Sequence, residues 1–184
     1  MKVFRGLFAC ALFSLITLSQ SVKAGILLEP YLGYVTGQQK QTGTANLSGT
    51  EFGARVGYTL LNFGIGAEYV GASYTDDSSP KNNLTIGDIG VFVSYKLPVL
   101  FRVYATYVPS AAVKDKVSNS EFTFKGNSAK LGVGYTGLPF ININLEYINA
   151  TYKDVEIAGS TLSLDTKSTT SAYAISISAP FNLF

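Results

Sequence analysis

The chain of 184 residues contains no histidine and only one cysteine, Cys10. The absence of histidine excludes Ser-His-Asp and Cys-His catalysis and most zinc sites. We therefore predict that the protein is not an enzyme and that it binds no cofactor and no catalytic metal. Charged residues are also scarce, at 14% of the chain, and the 14 basic groups nearly balance the 12 acidic ones. This charge balance gives no basis for nucleic-acid binding.

The long apolar run of the chain lies at its N-terminus. Lys2 and Arg5 precede the apolar segment Leu7–Leu18, and small residues at positions 22 and 24 complete the pattern of a secretory signal. We predict a cleavable signal peptide over residues 1–24 and one domain over residues 25–184. A lipoprotein signal cut before Cys10 is the alternative, but it would leave almost no apolar segment. No second run of eighteen uncharged apolar residues follows, so a helical membrane protein is not expected.

The rest of the chain alternates between two kinds of residue with a period of two. In the segment from Glu51 to Leu60, Phe52 and Val56 lie on one face, and Arg55 lies on the other. Such alternation predicts β-strands with one apolar face. The pattern recurs eight times, at residues 28–36, 51–60, 63–74, 88–95, 101–109, 129–135, 141–147 and 173–183.

The charged residues of these strands fall on the face that is rich in Gly, Ser, Thr and Asn. On a lipid-facing position of a membrane barrel a charge costs up to about 2–4 kcal/mol, whereas a charge in the lumen avoids that cost if it is paired. The glycine content of this face also suits the crowded interior of a narrow barrel better than a solvated surface. We therefore predict an inward network of charges made of Glu29, Arg55, Glu68, Asp88, Arg102, Lys130 and Glu146.

Three similar segments each have the pattern of a strand end, a tight turn and a new strand. They are Val56–Phe63, Val93–Phe101 and Val133–Phe140. Aromatic residues flank each turn and recur one strand length later, as in the two aromatic girdles of a membrane barrel. Longer polar connections are predicted on the other side, at residues 37–50, 75–83, 110–123 and 153–166. The predicted girdle residues are Tyr58, Phe63, Tyr69, Tyr95, Phe101, Tyr107, Tyr135, Phe140 and Tyr147.

The opening Leu28–Tyr34, the eight strands and the terminal Phe184 resemble the small bacterial outer-membrane barrels of the OmpA transmembrane domain, OmpX and OmpW type. The resemblance implies an all-β, transmembrane, antiparallel up-and-down barrel of about eight strands in the outer membrane. It also implies contact with lipid and lipopolysaccharide, and insertion by the barrel assembly machinery. Phe184 is out of phase with the outward residues of the last strand. Either a bulge near Pro180 corrects the phase, or Phe181 is the terminal girdle residue.

Three functions remain open from the sequence. The first is a structural or surface protein whose lumen is plugged by charges and has no open channel. The second is an OmpW-like narrow conduit for small hydrophobic molecules, with Val70, Phe92 and Val108 as lining residues. The third is a soluble periplasmic β-barrel binder, because a soluble barrel or sandwich also alternates. The sequence identifies no extracellular partner.

Overall fold

A computed structural model of the chain describes residues 24–41, 43–77, 83–117, 120–157 and 160–183. Residues 1–23 of the predicted signal peptide, including Cys10, lie outside these residues, and so does Phe184. Among the described residues, no helix is long and apolar enough to cross a membrane.

Within the described residues, the regular structure consists of strands joined in chain order. Residues 61–62 and 97–100 separate two pairs of consecutive strands as tight turns, and residues 136–141 separate a third pair. The strands are β1 (Gly25–Lys40), β2 (Thr44–Leu60), β3 (Phe63–Asp76), β4 (Asn83–Lys96), β5 (Phe101–Val117), β6 (Ser120–Tyr135), β7 (Asn142–Ile157), β8 (Ser160–Ser178) and β9 (Phe181–Leu183).

From β1 to β8 each strand pairs antiparallel with the next, and β1 also pairs with β8, which closes the sheet into a barrel. The wall therefore has eight strands, and the short β9 continues the edge of β8 along β1. This confirms the predicted all-β, antiparallel up-and-down architecture.

The break between β8 and β9 is not a bulge. Tyr31 faces Ser178 and Leu28 faces Phe181, so both strands advance by three residues across the break and the register is unchanged. The ladder is interrupted because Pro30 and Pro180 have no backbone N–H to donate. The bulge proposed to correct the phase is therefore absent. Phe181 points outward and is exposed, in phase with the outward Ile177.

The prediction of long polar loops on one side is wrong for most of the segments concerned. The β1–β2 ladder continues to the pair Lys40–Thr44, and β5 and β6 remain paired to Val117 and Ser120. These segments are strand extensions because backbone pairing does not require apolar outward side chains. The alternation continues through them with its polarity reversed.

The two halves of the wall have opposite polarity. In the half that contains the tight turns, outward residues are apolar, and the inward face contains the buried charges together with polar residues, glycines and a few rings. In the other half, the outward exposed residues are polar: Thr36, Gln38, Lys40, Asn46, Thr50, Ser73, Thr75, Thr85, Asn149, Lys153 and Ser171. There the interior is a hydrophobic cluster of Val35, Leu47, Ala72, Tyr74, Leu84, Val108, Ala111, Val113, Ile148, Ala150, Tyr152, Ala172 and Ala174. One half is thus built for an apolar surrounding and the other for water.

Candidate functional site: the barrel lumen

The structure places all seven charged residues of the predicted network inside the barrel, and none is more than 7% exposed. Strand alternation points them towards the barrel axis from β1 to β7, so residues that are distant in the sequence come close together in the lumen. Six of the seven join a contiguous network, and Asp88 lies apart from it.

Arg102 and Glu29 form a bidentate pair on the turn side of the network. Arg102 Nη1 donates to Glu29 Oε2 over 2.5 Å, and Nη2 donates to Oε1 over 2.7 Å. The hydroxyl of Ser178 donates to the same Oε1 over 2.6 Å. Two parallel hydrogen bonds fix both side chains, since the planar guanidinium matches the carboxylate.

Arg55 occupies the middle of the lumen and links three carboxylates. Its Nη2 lies 2.8 Å from Glu146 Oε1 and 3.2 Å from Glu68 Oε1, and its Nη1 lies 3.6 Å from Glu29 Oε1. The guanidinium also lies 4.7 Å from the ring centre of Tyr31 and 4.3 Å from that of Tyr104. The two rings exclude water from the guanidinium, and the electron-rich faces of the rings attract its positive charge.

Lys130 joins three carboxylates on the side of the network away from the turns. Its Nζ lies 2.8 Å from Glu51 Oε1, 3.2 Å from Glu146 Oε2 and 3.3 Å from Glu68 Oε1. Glu51 was not in the predicted network, although it shares the face of Arg55 in the two-residue period. This shared face was the feature of the sequence from which Glu51 could have been assigned to the network.

Neutral side chains that the sequence did not single out complete the network. The Tyr31 hydroxyl donates to Glu68 Oε1 over 2.8 Å, Tyr104 donates to Glu146, and Thr106 donates to Glu68. Inward glycines make room for the two rings. A Cβ at Gly53 would lie 2.5 Å from the Tyr31 ring, and one at Gly132 would overlap the Tyr104 ring. The layer is therefore filled by packed, mutually paired side chains.

Asp88 lies beside an irregular seam between β4 and β5. Pairing stops after Ile86–Val113 and resumes at Val91–Tyr107, and β5 also shifts register against β6 between Val108 and Ala111. Within the gap, the Asp88 carboxylate accepts a hydrogen bond of 2.9 Å from the backbone N–H of Ala112. Its role is therefore to satisfy a wall strand and not to pair with the charges.

A cavity of about 50 Å³ lies on the other side of the network from the tight turns, within the hydrophobic cluster. Of the three residues predicted to line an apolar passage, Val70 and Val108 line this cavity. Phe92 is buried elsewhere in the lumen, against Gly66. The charged layer forms the floor of the cavity, with Glu51 and Lys130 at its edge.

The opposite mouth, inside the ring of tight turns, holds an open space of about 680 Å³. Its wall combines Arg102 and Asn142 from the strands with Leu100 and Phe140 from the turns. Among the described residues, no group of three or more His, Cys, Asp or Glu side chains is placed to hold a metal ion.

The exterior carries the aromatic residues that were predicted as girdles. Tyr58, Phe63, Tyr69, Phe101, Tyr107, Tyr135, Phe140 and Tyr147 are exposed, while Tyr95 is half-buried, with its ring 4.7 Å from that of Phe63. Tyr173 was not predicted, but its ring lies 5.3 Å from that of Tyr147. Between the two aromatic levels, the outward side chains are Val, Ile, Leu and Ala, with Pro30 on β1. An apolar surface of this extent does not suit a soluble binder.

No protein-family model and no curated protein matches the chain. Among solved structures, Neisserial surface protein A (NspA) aligns with a TM-score of 0.59 at 14% identity, over 84% of this chain and 97% of that one. The chain has the fold of the small outer-membrane barrels. Ail, the attachment invasion locus protein of Yersinia pestis, in complex with the heparin analogue sucrose octasulfate, aligns with a TM-score of 0.59 at 11% identity, over 85% of this chain and 99% of Ail. At these identities the likeness concerns the fold of the outer-membrane barrels alone.

Proposed function

We propose that this chain is a structural or surface protein of the bacterial outer membrane, with a closed lumen and no enzymatic activity. The observation that carries the proposal is the charged layer, in which Arg55, Lys130 and their carboxylates are buried at the level of the apolar exterior. An eight-stranded barrel leaves an interior just wide enough for its own side chains. The proposed partners are membrane lipid and lipopolysaccharide, and the barrel assembly machinery during insertion.

Two arguments favour closure over conduction. First, the cations and carboxylates of the layer form buried ion pairs with one another, so opening a path would require these pairs to separate. Second, the Tyr31 and Tyr104 rings pack against Arg55 and fill the space between the charges. The hydrophobic cluster then adds a second, apolar barrier beyond the layer.

Conductance across a planar lipid bilayer tests the closed lumen. We expect no steady open-pore current from the native chain. An open porin reconstituted in the same bilayers is the positive control, because it shows that the assay detects an open barrel. A steady current from the native chain would refute the proposal.

Membrane fractionation with heat-modifiable mobility on detergent gels tests the location. The folded barrel should sediment with outer membranes, and its mobility should shift on boiling. Recovery of the chain as a soluble periplasmic protein without detergent would instead support the soluble binder.

A second candidate is a binder or narrow conduit for small apolar molecules, and the apolar cavity favours it. At about 50 Å³ the cavity is well below the roughly 300–1,000 Å³ of ordinary ligand sites, so a ligand would have to displace side chains. The charged floor blocks axial passage, so a route would have to run sideways through the seam at Asp88.

Uptake of the apolar fluorophore N-phenyl-1-naphthylamine by intact cells tests this second candidate. If the cavity carries the probe, expression should increase uptake, and Ala150→Leu, which fills the cavity, should abolish the increase. Ser171→Leu on the outward face is the matched control. Equal uptake by the native chain and Ala150→Leu, at equal amounts of folded barrel, would reject the conduit.

A further inference from the structure

The three tight turns share an unusual backbone feature. Leu61, Leu100 and Phe140 adopt left-handed conformations, with φ of 57°, 62° and 66°. Side chains other than Gly and Asn are disfavoured there, and hairpin turns ordinarily use those two residues. Each of these turns instead keeps a large apolar side chain at a backbone cost. Phe140 is 87% exposed.

The strained turns are tied together into one rim. The backbone N–H of Lys96 donates to the carbonyl of Asn62 over 2.8 Å, and that of Thr136 donates to the carbonyl of Leu100 over 2.8 Å. Each bond joins one turn to the end of a neighbouring hairpin. The exposed apolar side chains are thus held at fixed positions around the mouth.

At the start of β7 the rim continues the apolar exterior without a break. Phe140 is followed by Ile141 and Ile143, both of which are exposed. At the opposite end of β7, the outward residues beyond Tyr147 are polar, with Asn149 and Lys153 exposed. The turn segments 61–62, 97–100 and 136–141 contain no acidic residue, and the exposed Lys96 lies beside them. Apolar side chains beside a cation suit the phospholipid interface.

We propose that this rim inserts into the headgroup and upper acyl region of the adjacent phospholipid leaflet, with Leu61, Leu100 and Phe140 as anchors. The inference rests on the proposed membrane location, and its occupant is phospholipid. The turns are then membrane-embedded elements rather than loops in the periplasm. The open mouth inside the rim faces the headgroups.

Single-tryptophan fluorescence tests the insertion, because the chain contains no tryptophan. Three variants report along one line of the wall: Phe140→Trp at the rim, Leu145→Trp in the apolar exterior and Lys153→Trp at the far end. Each is refolded into phosphatidylcholine–phosphatidylglycerol vesicles whose chains are brominated either near the ester carbonyl or near the chain end. Each is also titrated with the aqueous quencher acrylamide.

The expected result for Phe140→Trp is blue-shifted emission, with stronger loss of intensity from bromine near the ester carbonyl than near the chain end. Leu145→Trp should be quenched more by the deeper bromine. Lys153→Trp should be insensitive to both lipids and open to acrylamide. If Phe140→Trp behaves like Lys153→Trp, the rim lies in water and the inference is overturned.

Two other outcomes separate the possible failures. Shielding of Phe140→Trp from acrylamide without quenching by either lipid would mean that a second copy of the chain covers the rim, which also overturns the inference. Absence of lipid quenching at Leu145→Trp would overturn the proposed membrane location itself.

A functional measurement provides an independent test. Phe140→Asn keeps a residue that tolerates the left-handed backbone and removes only the apolar side chain. We expect unchanged folding in detergent micelles and a reduced yield of folded barrel in phospholipid vesicles. Lys153→Asn, at the opposite end of the same strand, should insert like the native chain. Normal vesicle insertion of Phe140→Asn would contradict an anchoring role.

Discussion

At the scale of single residues, the charged layer depends on glycines without side chains as much as on the charges themselves. The Tyr104 ring covers Arg55, at 4.3 Å from its guanidinium, and it fits only because Gly132 has no side chain. An added side chain at Gly132 would push the ring off the cation. Glycine here is required by close packing within the layer.

We predict that Gly132→Val destabilises the barrel by about 1–3 kcal/mol, the usual cost of overpacking a filled interior. Urea unfolding in phospholipid vesicles measures this change. Gly43→Val is the matched control, because a Cβ at Gly43 meets nothing within 4 Å. Equal stability of the two variants would mean that the lumen is loosely packed around Tyr104.

A second residue-scale prediction concerns Asp77, which lies just beyond the end of β3 on the water side. The side-chain amide of Asn46 donates to Asp77 Oδ2 over 2.7 Å, and its backbone N–H donates to Oδ1 over 2.8 Å. These donors favour the carboxylate and lower the pKa of Asp77 below its ordinary value. The resulting stabilisation is present above the ordinary pKa and is lost as the pH falls through the lowered one.

Asn46→Ala removes the side-chain donor and keeps the backbone donor. We therefore expect the pKa of Asp77 to rise part of the way towards its ordinary value, as followed by NMR titration of the carboxyl carbon. Asn149→Ala, on a distant strand, should leave it in place. A pKa that is unchanged in Asn46→Ala would show that the side-chain hydrogen bond does not form in solution.

At the scale of strands, the seam between β4 and β5 is the irregular part of the wall. Pro109 lies in the stretch of β5 where the ladder is interrupted, and it cannot donate a hydrogen bond. The Asp88 carboxylate compensates for one lost partner by accepting from Ala112. This side-chain acceptor therefore contributes a link between β4 and β5 where the backbone ladder is interrupted.

We predict that Asp88→Ala increases hydrogen exchange at the amide of Ala112, while the paired segment 63–70 of β3 stays protected. Hydrogen exchange followed by NMR resolves the amide. Asp88→Asn retains an acceptor oxygen and should preserve most of the protection. Unchanged exchange in Asp88→Ala would show that the backbone closes the seam without the carboxylate.

The sequence predicts those elements best in which period-two alternation coincides with an apolar outward face. That combination identified all eight wall strands and the inward direction of Arg55. It did not predict the strand extensions, because their outward Thr, Ser, Asn and Lys side chains resemble loop composition. It also did not separate Asp88 from the network, since alternation gives the face of a residue but not its height along the axis.

At the scale of the whole molecule, the charged layer closes the lumen and constrains every strand that contributes to it. Lys130 contacts Glu51, Glu68 and Glu146 from three other strands. Glu68 and Glu146 also pair with Arg55, but Glu51 pairs with Lys130. Removing Lys130 therefore leaves the buried Glu51 carboxylate without its cation, which is far more costly than losing an exposed pair. The layer therefore connects the strands across the lumen as well as closing it.

Lys130→Met is expected to lower the free energy of unfolding by about 3–5 kcal/mol. Lys125→Met is the control, because the pair of Lys125 with Glu156 is partly exposed and such pairs contribute about 0–1 kcal/mol. Urea unfolding in vesicles compares the two variants. A second variant that also carries Glu51→Gln should recover part of the loss, since it removes the charge that Lys130→Met leaves unpaired.

The reversal of polarity along the wall leads to opposite expectations for lysine substitutions at three nearby positions of β7. Leu145 points outward and Glu146 inward in the half with an apolar exterior. Beyond Tyr147, Ile148 points inward and Asn149 outward in the half with a polar exterior.

If a bilayer surrounds only the first half, Leu145→Lys should cost about 2–4 kcal/mol at most. Asn149→Lys should change stability by no more than about 0.5 kcal/mol, although both lysines would point outward. Ile148→Lys should lower stability strongly, because it buries a charge without a partner. Vesicle unfolding and the yield of heat-modifiable barrel measure the series. A soluble protein with the same structure would tolerate both outward lysines, so the difference between positions 145 and 149 locates the edge of the membrane on the molecule.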